Sequence, residues 1–261
     1  MTRCTKKRWQ PRPVAEALQP VIVVPGPEAM AETAARWIAD TIKASVAARA
    51  RCFLALAGGE TPRACYRVLG GPGFRNDVPW SAVEIYWSDE RLVPLDDPAS
   101  NYAMARAALL DHVPIPARQI HPAPVEQPDG ALAAEAYARE LGALPRDTSD
   151  RPRFDLILLG LGEDGHTASL FPGDPVLLEE RAWVRAVRAS KPPPDRLTLT
   201  LPLINASRAV LFLVQGAAKR SALQAVRRRD PRVPASLVQP VDGELRFIVD
   251  REALVEDPAT V

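Results

Sequence analysis

The stretch Phe154-Asp155-Leu156-Ile157-Leu158-Leu159-Gly160-Leu161-Gly162-Glu163-Asp164-Gly165-His166 passes from an apolar run into a polar, glycine-rich loop. A short apolar run without polar alternation fits a strand buried on both faces, as in a parallel sheet; here it is predicted over 154–159. Working outward, strands are also predicted at 21–24, 53–57, 83–87, 183–187, 197–201, 210–214 and 247–249. Leu197, Leu199 and Leu201 alternate with Thr198 and Thr200, which marks that strand as an edge or as one with a solvated face. Helical spacing fills the gaps. Met30, Ala34, Trp37, Ile38, Thr41 and Ser45 recur at helical intervals after Pro27, and further helices are predicted over 62–69, 102–111, 130–141 and 217–228. Strands alternating with helices predict an α/β fold, a largely parallel sheet with helices on both faces.

Composition agrees with a globular chain. Of 261 residues 47% are apolar and 25% charged, which excludes disordered and fibrous classes. Thirty-three basic residues balance 32 acidic ones, so overall charge gives no reason to expect a nucleic-acid or membrane partner. The balance hides one asymmetry: residues 1–13 carry Arg3, Lys6, Lys7, Arg8 and Arg12 and no acid. No apolar segment follows them, so they read as a disordered, solvated tail rather than a targeting sequence, with one α/β unit over 14–261. The stretch 128–152, richer in Pro, Asp and Gly, is the alternative place for a subdomain boundary. Cys4, Cys52 and Cys65 show no CxxC spacing, which argues against a disulfide framework or zinc site. Cys52 and Cys65 read as small core residues in a reducing compartment. No run approaches the length of a membrane span, and the expected location is the cytoplasm.

In a parallel sheet, ligands bind where loops leave the carboxyl ends of the strands. Gly58-Gly59-Glu60-Thr61-Pro62 reads either as a nest of N–H donors for a phosphate or as a tight strand-to-helix turn. Ser88-Asp89-Glu90-Arg91 puts four polar residues at a strand's end, where the plain reading is a solvated turn with a local Asp–Arg pair. Gly160, Gly162 and Gly165 satisfy GxGxxG, a weak signal; Pro172 truncates the helix a dinucleotide site needs, and Glu179 and Glu180 precede a strand. Asp164 and His166 carry more weight, because a carboxylate beside an imidazole sets its tautomer and raises its basicity. Ser169 has no GxSxG elbow and reads poorly as a nucleophile. Ser190 to Arg196 forms a proline-stiffened arm with cations, and Lys219 falls in the first turn of the helix predicted over 217–228. A cation there opposes the helix dipole, a small cost that a bound anion offsets; a solvated lysine is the alternative. His112 and His121 lie in proline-rich sequence and read as incidental.

Five segments, taken together, resemble the 6-phosphogluconolactonase family: LALAGGETPRACYRVL, IYWSDERLVPLDDPASNYAMAR, FDLILLGLGEDGHTASLFPG, SKPPPDRLTLTLPLIN and VLFLVQGAAKR. Related glucosamine-6-phosphate deaminases share the Asp-Gly-His loop but continue differently after it and carry Asp-Glu-Tyr where this chain has Asp89-Glu90-Arg91, which favours the lactonase branch. The resemblance implies a Rossmann-like three-layer α/β sandwich. It implies hydrolysis of 6-phospho-D-glucono-1,5-lactone to 6-phosphogluconate in the oxidative pentose phosphate pathway, without metal or organic cofactor. In that reading His166, oriented by Asp164, activates water. Arg91 stabilises the oxyanion or holds substrate hydroxyls, and backbone N–H groups of the loop holding Gly162 and Gly165 assist. Gly58, Gly59, Thr61, Arg196 and Lys219 hold the phosphate end, and Asp89 lines the substrate site. The expected partner is a phosphorylated sugar lactone, met by a monomer or weak homo-oligomer. The rival functions are a deaminase- or isomerase-like enzyme and a sugar-phosphate sensor.

Overall fold

Alternation along the buried strands decides which helices cover which face. The computed structural model describes residues 21–127, 129–146 and 150–254; the basic stretch 1–13, with Cys4, lies outside them. Its elements run β1 (Val21–Val24), α1 (Pro27–Arg49), β2 (Cys52–Leu56), α2 (Glu60–Leu69), β3 (Val83–Trp87), β4 (Asp89–Arg91), α3 (Asn101–Ala108), α4 (Gly130–Leu141) and β5 (Leu156–Gly160). They continue through β6 (Val184–Arg188), β7 (Asp195–Leu199), α5 (Leu201–Ile204), β8 (Ala209–Val214), α6 (Arg220–Arg227), β9 (Glu244–Asp250) and α7 (Arg251–Leu254). Six strands form a parallel sheet in the order β1-β9-β8-β5-β2-β3. Leu156, Leu158, Leu211 and Leu213 pack on one side with α1, α2 and α3. Ile157, Leu159, Val210 and Phe212 pack on the other with α4 and α6. Both layers are apolar because both faces of these strands are covered.

The remaining strands depart from the expected single sheet. β4, β7 and β6 form a separate antiparallel sheet with β7 at its centre. Only residues 189–194 separate β6 from β7, too few for the crossover that parallel neighbours require, so the pair must be antiparallel. β7 is therefore neither an edge nor solvated: Leu197, Thr198 and Leu199 are buried. The Thr198 hydroxyl donates to the Leu199 carbonyl, and Thr200, just past the strand, donates to the Ala182 carbonyl. β4 was expected as a turn, and it pairs instead along β7.

Two tyrosines from helices on opposite faces hold the ends of β2 and of the edge strand β3. The Tyr66 hydroxyl, on α2, accepts from the Ala57 N–H and donates to the Ala57 carbonyl, both at 2.9 Å. The Tyr137 hydroxyl, on α4, accepts from the Trp87 N–H at 2.8 Å and donates to its carbonyl at 3.2 Å. Buried backbone groups at strand ends are thus paired before the chain turns into Gly58 and Ser88. Cys52 and Cys65 are buried free thiols, as expected. Among the described residues no helix is long and apolar enough to cross a membrane.

His121 is not incidental to the fold. Its ring stacks on Tyr86 with centroids 4.4 Å apart, and its two nitrogens reach Glu140 on α4 at 2.8 Å and Glu84 on β3 at 2.9 Å. Arg51 also pairs with Glu84. Burial pushes the imidazole's pKa down, but the hydrogen bonds and charges of the two glutamates outweigh it and raise the value above the ordinary 6.5. A raised folded-state value stabilises the fold fully below about pH 6.5 and loses that contribution as pH climbs through it. Denaturant unfolding of His121→Gln against wild type should therefore show the wild type's advantage largest in mild acid and shrinking in alkali. A constant difference from pH 6 to about 9 contradicts the bridge.

Candidate active site

A cleft of about 340 Å³ opens at the carboxyl ends of β2, β3, β5 and β8. Four strands contribute because all of them run parallel and stop at the same level of the sheet. The loop after β2 brings Gly58, Gly59 and Thr61 to the cleft, and β4 brings Asp89 and Arg91. The loop after β5 brings Gly162 and His166, β7 brings Arg196, and the turn after β8 brings Lys219. Gly165 does not line the cleft; it turns the loop behind His166, against Val233. The predicted helix 217–228 begins as a 3₁₀ turn over Ala217–Lys219, so Lys219 caps α6 rather than lying within it.

The Asp–His pair forms inside one tight turn. His166 Nδ1 lies 2.5 Å from Asp164 Oδ1, and the His166 backbone N–H donates to the same oxygen at 3.1 Å. An ionised carboxylate only accepts, so Nδ1 carries the hydrogen, and in the neutral ring the lone pair is on Nε2. Burial alone would raise the Asp164 pKa, but the N–H and the ring of His166 together hold it below the usual carboxylate range. The His166 side chain is 31% exposed and tilts against Phe171, with centroids 5.0 Å apart. Gly162 is required here by space: a Cβ would overlap the His166 ring and stand 2.6 Å from Asp164 Oδ1. The Gly162 N–H donates to the His166 carbonyl and the Gly165 N–H to the Gly162 carbonyl. Both are thus spent within the loop and are not free to meet an oxyanion, contrary to expectation.

Arg91 and Arg196 stand directly opposite each other across the antiparallel β4–β7 pair. Like charges in that position repel. Among the described residues neither forms an ion pair, so the expected local Asp–Arg pair is absent. Arg91 reaches the Ala99 carbonyl at 2.5 Å while its Nε is buried without a partner. Burial first, and the charge of Arg91 second, hold the Arg196 guanidinium below its usual range. Arg196 also lies 5.9 Å from the centre of the Phe171 ring. Lys219 Nζ is 3.9 Å from Glu163 Oε1, so this cation too has only a loose counter-charge.

Near the cleft, Asn101 and Glu90 were not singled out from sequence as site residues, and Ser169 was weighed there only as a nucleophile. Asn101 lines it, donating to the Asp89 carbonyl at 2.8 Å and to Asp89 Oδ1 at 3.3 Å. Glu90 is buried and accepts from the N–H groups of Arg91, Asn101 and Tyr102 and from the Ser100 hydroxyl. Burial raises its pKa despite the three backbone donors. Ser169 is fully buried and donates to Asp89 Oδ2 at 2.7 Å, which removes it from nucleophilic chemistry. Their only sequence signal was an unexplained density of small polar residues around a strand's end. Gly58 also has a reason that sequence did not supply, since a Cβ there would overlap the Asn101 amide. Among the described residues no three His, Cys, Asp or Glu side chains converge as a metal site.

Fold and site together define an α/β protein whose strand-end cleft brings an Asp–His pair together with Arg91, Arg196 and Lys219. Residues 25–247 match the family described as glucosamine-6-phosphate isomerases/6-phosphogluconolactonase, and the chain belongs to that family. A 6-phosphogluconolactonase of Synechocystis sp. is 42% identical over 226 residues, covering 85% of this chain and 91% of the relative. The 6-phosphogluconolactonase of Mycobacterium tuberculosis is 40% identical over 244 residues, covering 91% of this chain and 98% of the relative. Among solved structures, 6-phosphogluconolactonase from Trypanosoma brucei superposes with a TM-score of 0.81 at 31% identity, covering 91% of this chain and 98% of that one.

Gly162→Ala tests the packing of the Asp–His pair, because the added methyl must displace the ring or the carboxylate. A displacement near 1 Å costs about a hundredfold in turnover. The expected result is that loss in kcat with unfolding stability largely kept; wild-type turnover would contradict the geometry.

Proposed function

We propose that the chain hydrolyses 6-phospho-D-glucono-1,5-lactone to 6-phosphogluconate by general-base activation of water. The observation that carries this is the half-buried His166 ring, oriented by Asp164 at 2.5 Å, lining the same cleft as two arginines that oppose each other across β4–β7 and, among the described residues, form no ion pair. His166 Nε2 takes a proton as the water oxygen attacks the lactone carbonyl. The carbonyl–ring oxygen bond then breaks, and the proton passes from Nε2 to the departing oxygen. The carboxylic acid product ionises, so each turnover releases one proton to solvent.

The anion grip follows from charge. Two facing guanidiniums carry two positive charges, which a phosphate dianion neutralises in the ground state and a transient oxyanion does not. Arg91 therefore joins Arg196 and Lys219 at the phosphate, rather than standing at the carbonyl alone. Gly59 and Thr61 add the first N–H groups of α2, which lack partners within the helix. The Gly162 and Gly165 N–H groups are spent within the loop, so oxyanion stabilisation falls to other donors of the cleft, Arg91 among them. An activated lactone needs modest help, and one positioned base is worth about 10²–10⁴-fold. We place the enzyme in the cytoplasm, as a monomer or weak homo-oligomer acting on a small phosphorylated sugar lactone, with no metal, nucleic-acid or membrane partner.

Proton release from freshly generated 6-phosphogluconolactone, above the spontaneous rate, is the direct test. Wild type should accelerate it, and His166→Asn should lose about 10²–10⁴-fold while staying folded. Near-normal turnover by the His166 variant contradicts the general-base role. Ammonia release from glucosamine 6-phosphate, or binding of 6-phosphogluconate without turnover of the lactone, contradicts the reaction. Arg196→Ala should raise KM far more than it lowers kcat, because the phosphate is remote from the reacting carbonyl. An unchanged KM with equal losses in kcat and kcat/KM would move Arg196 to the reacting end.

A further inference from the structure

We infer that Asn101 and Ser169 are positioning residues that present the Asp89 carboxylate to a ring hydroxyl of the lactone, so that Asp89 tells the polyhydroxylated substrate from deoxygenated ones. The inference rests on the lactonase reading and extends it to specificity. Asp89 is buried yet lines the cleft. A carboxylate offers about four acceptor positions. Side chains occupy two of them: Ser169 Oγ donates to Oδ2 at 2.7 Å and Asn101 Nδ2 to Oδ1 at 3.3 Å. Among the described residues Asp89 forms no ion pair; its charge acts on Arg196 only at longer range, and Arg91 lies two residues along β4. Its remaining acceptor positions stay open beside the cleft. A buried carboxylate with open positions is costly unless a donor arrives, and the donors a sugar lactone brings are its hydroxyls.

Both supports are themselves fixed. The Ser169 N–H donates to Thr198 Oγ1 at 3.3 Å, and Thr198 is the register partner of Asp89 across β4–β7. The Asn101 N–H donates to Glu90 Oε1 at 2.7 Å, and the Asn101 amide sits where a Cβ at position 58 would otherwise be. Neither acceptor of the Asn101 NH₂, the Asp89 carbonyl or carboxylate, can donate in return, so the amide orientation is set. Asp89 is thereby tied to the loop after β5, to β7 and to the start of α3, and cannot swing toward the arginines without breaking these bonds. A site built around a hydroxyl rejects the analogue that lacks it, because its polar group is left unpaired.

The test compares kcat/KM for 6-phosphogluconolactone and for its analogues lacking the hydroxyl at C2, C3 or C4, using wild type, Ser169→Ala and Asn101→Ala. Wild type should lose roughly 10–100-fold on one of the three deoxy lactones, the range of a hydrogen bond to a charged group. Each variant should lose roughly tenfold on the parent lactone and little on that same analogue. A merely structural role, or a role for Asp89 as counter-ion to the arginines, lowers all four lactones alike in the variants. Equal losses on all four, or none on the parent, overturn the inference. A wild type inert toward the parent lactone instead overturns the lactonase reading itself.

Discussion

Two positive charges facing each other across a short antiparallel pair, Arg91 on β4 and Arg196 on β7, are the constraint around which the rest of the molecule is arranged. Held this way they repel, and burial makes the repulsion more costly. The fold tolerates the cost because the three-stranded sheet packs into the same apolar layer as α4 and the parallel strands, through Val184, Leu197 and Leu199. On the proposed reading, a phosphate dianion in the cleft would offset that repulsion.

The chemistry stands on a second local device, the turn from Gly160 to His166. A parallel strand buried on both faces ends there, and the chain needs only six residues to bring a carboxylate and an imidazole together. The turn spends its own glycine N–H groups on internal hydrogen bonds, which stiffens it and removes them from oxyanion duty. Rigidity and charge are thus separated: one turn orients the His166 imidazole, and neighbouring strands carry the cations. Tyr66 and Tyr137 support the arrangement from outside by fixing the ends of β2 and β3.

Much of this was legible in residues. Short apolar runs, proline at a helix start and glycine after strands located eight of the nine strands among the described residues; the remaining one, β4, was read as a turn because Asp89, Glu90 and Arg91 are polar. That reading failed for a physical reason. Burial of a charged residue depends on partners distant in sequence, here Asn101, Tyr102 and Ser169, and no local pattern announces them. The same holds for β7, whose alternating threonines suggested solvent but are satisfied within the fold.

Sequence by itself determined the parallel α/β architecture, the Asp164–His166 unit and the set of strand-end loops that carry the site, because periodicity and two-residue spacing are local properties. Tertiary structure alone decided that the chain divides its strands between two sheets, that Arg91 faces Arg196 and that Asn101 and Ser169 grip Asp89. It also decided that Gly58 and Gly162 are glycines for want of room. Each of these depends on which side chain arrives from another part of the chain to occupy a given space, and that is settled only when the elements pack.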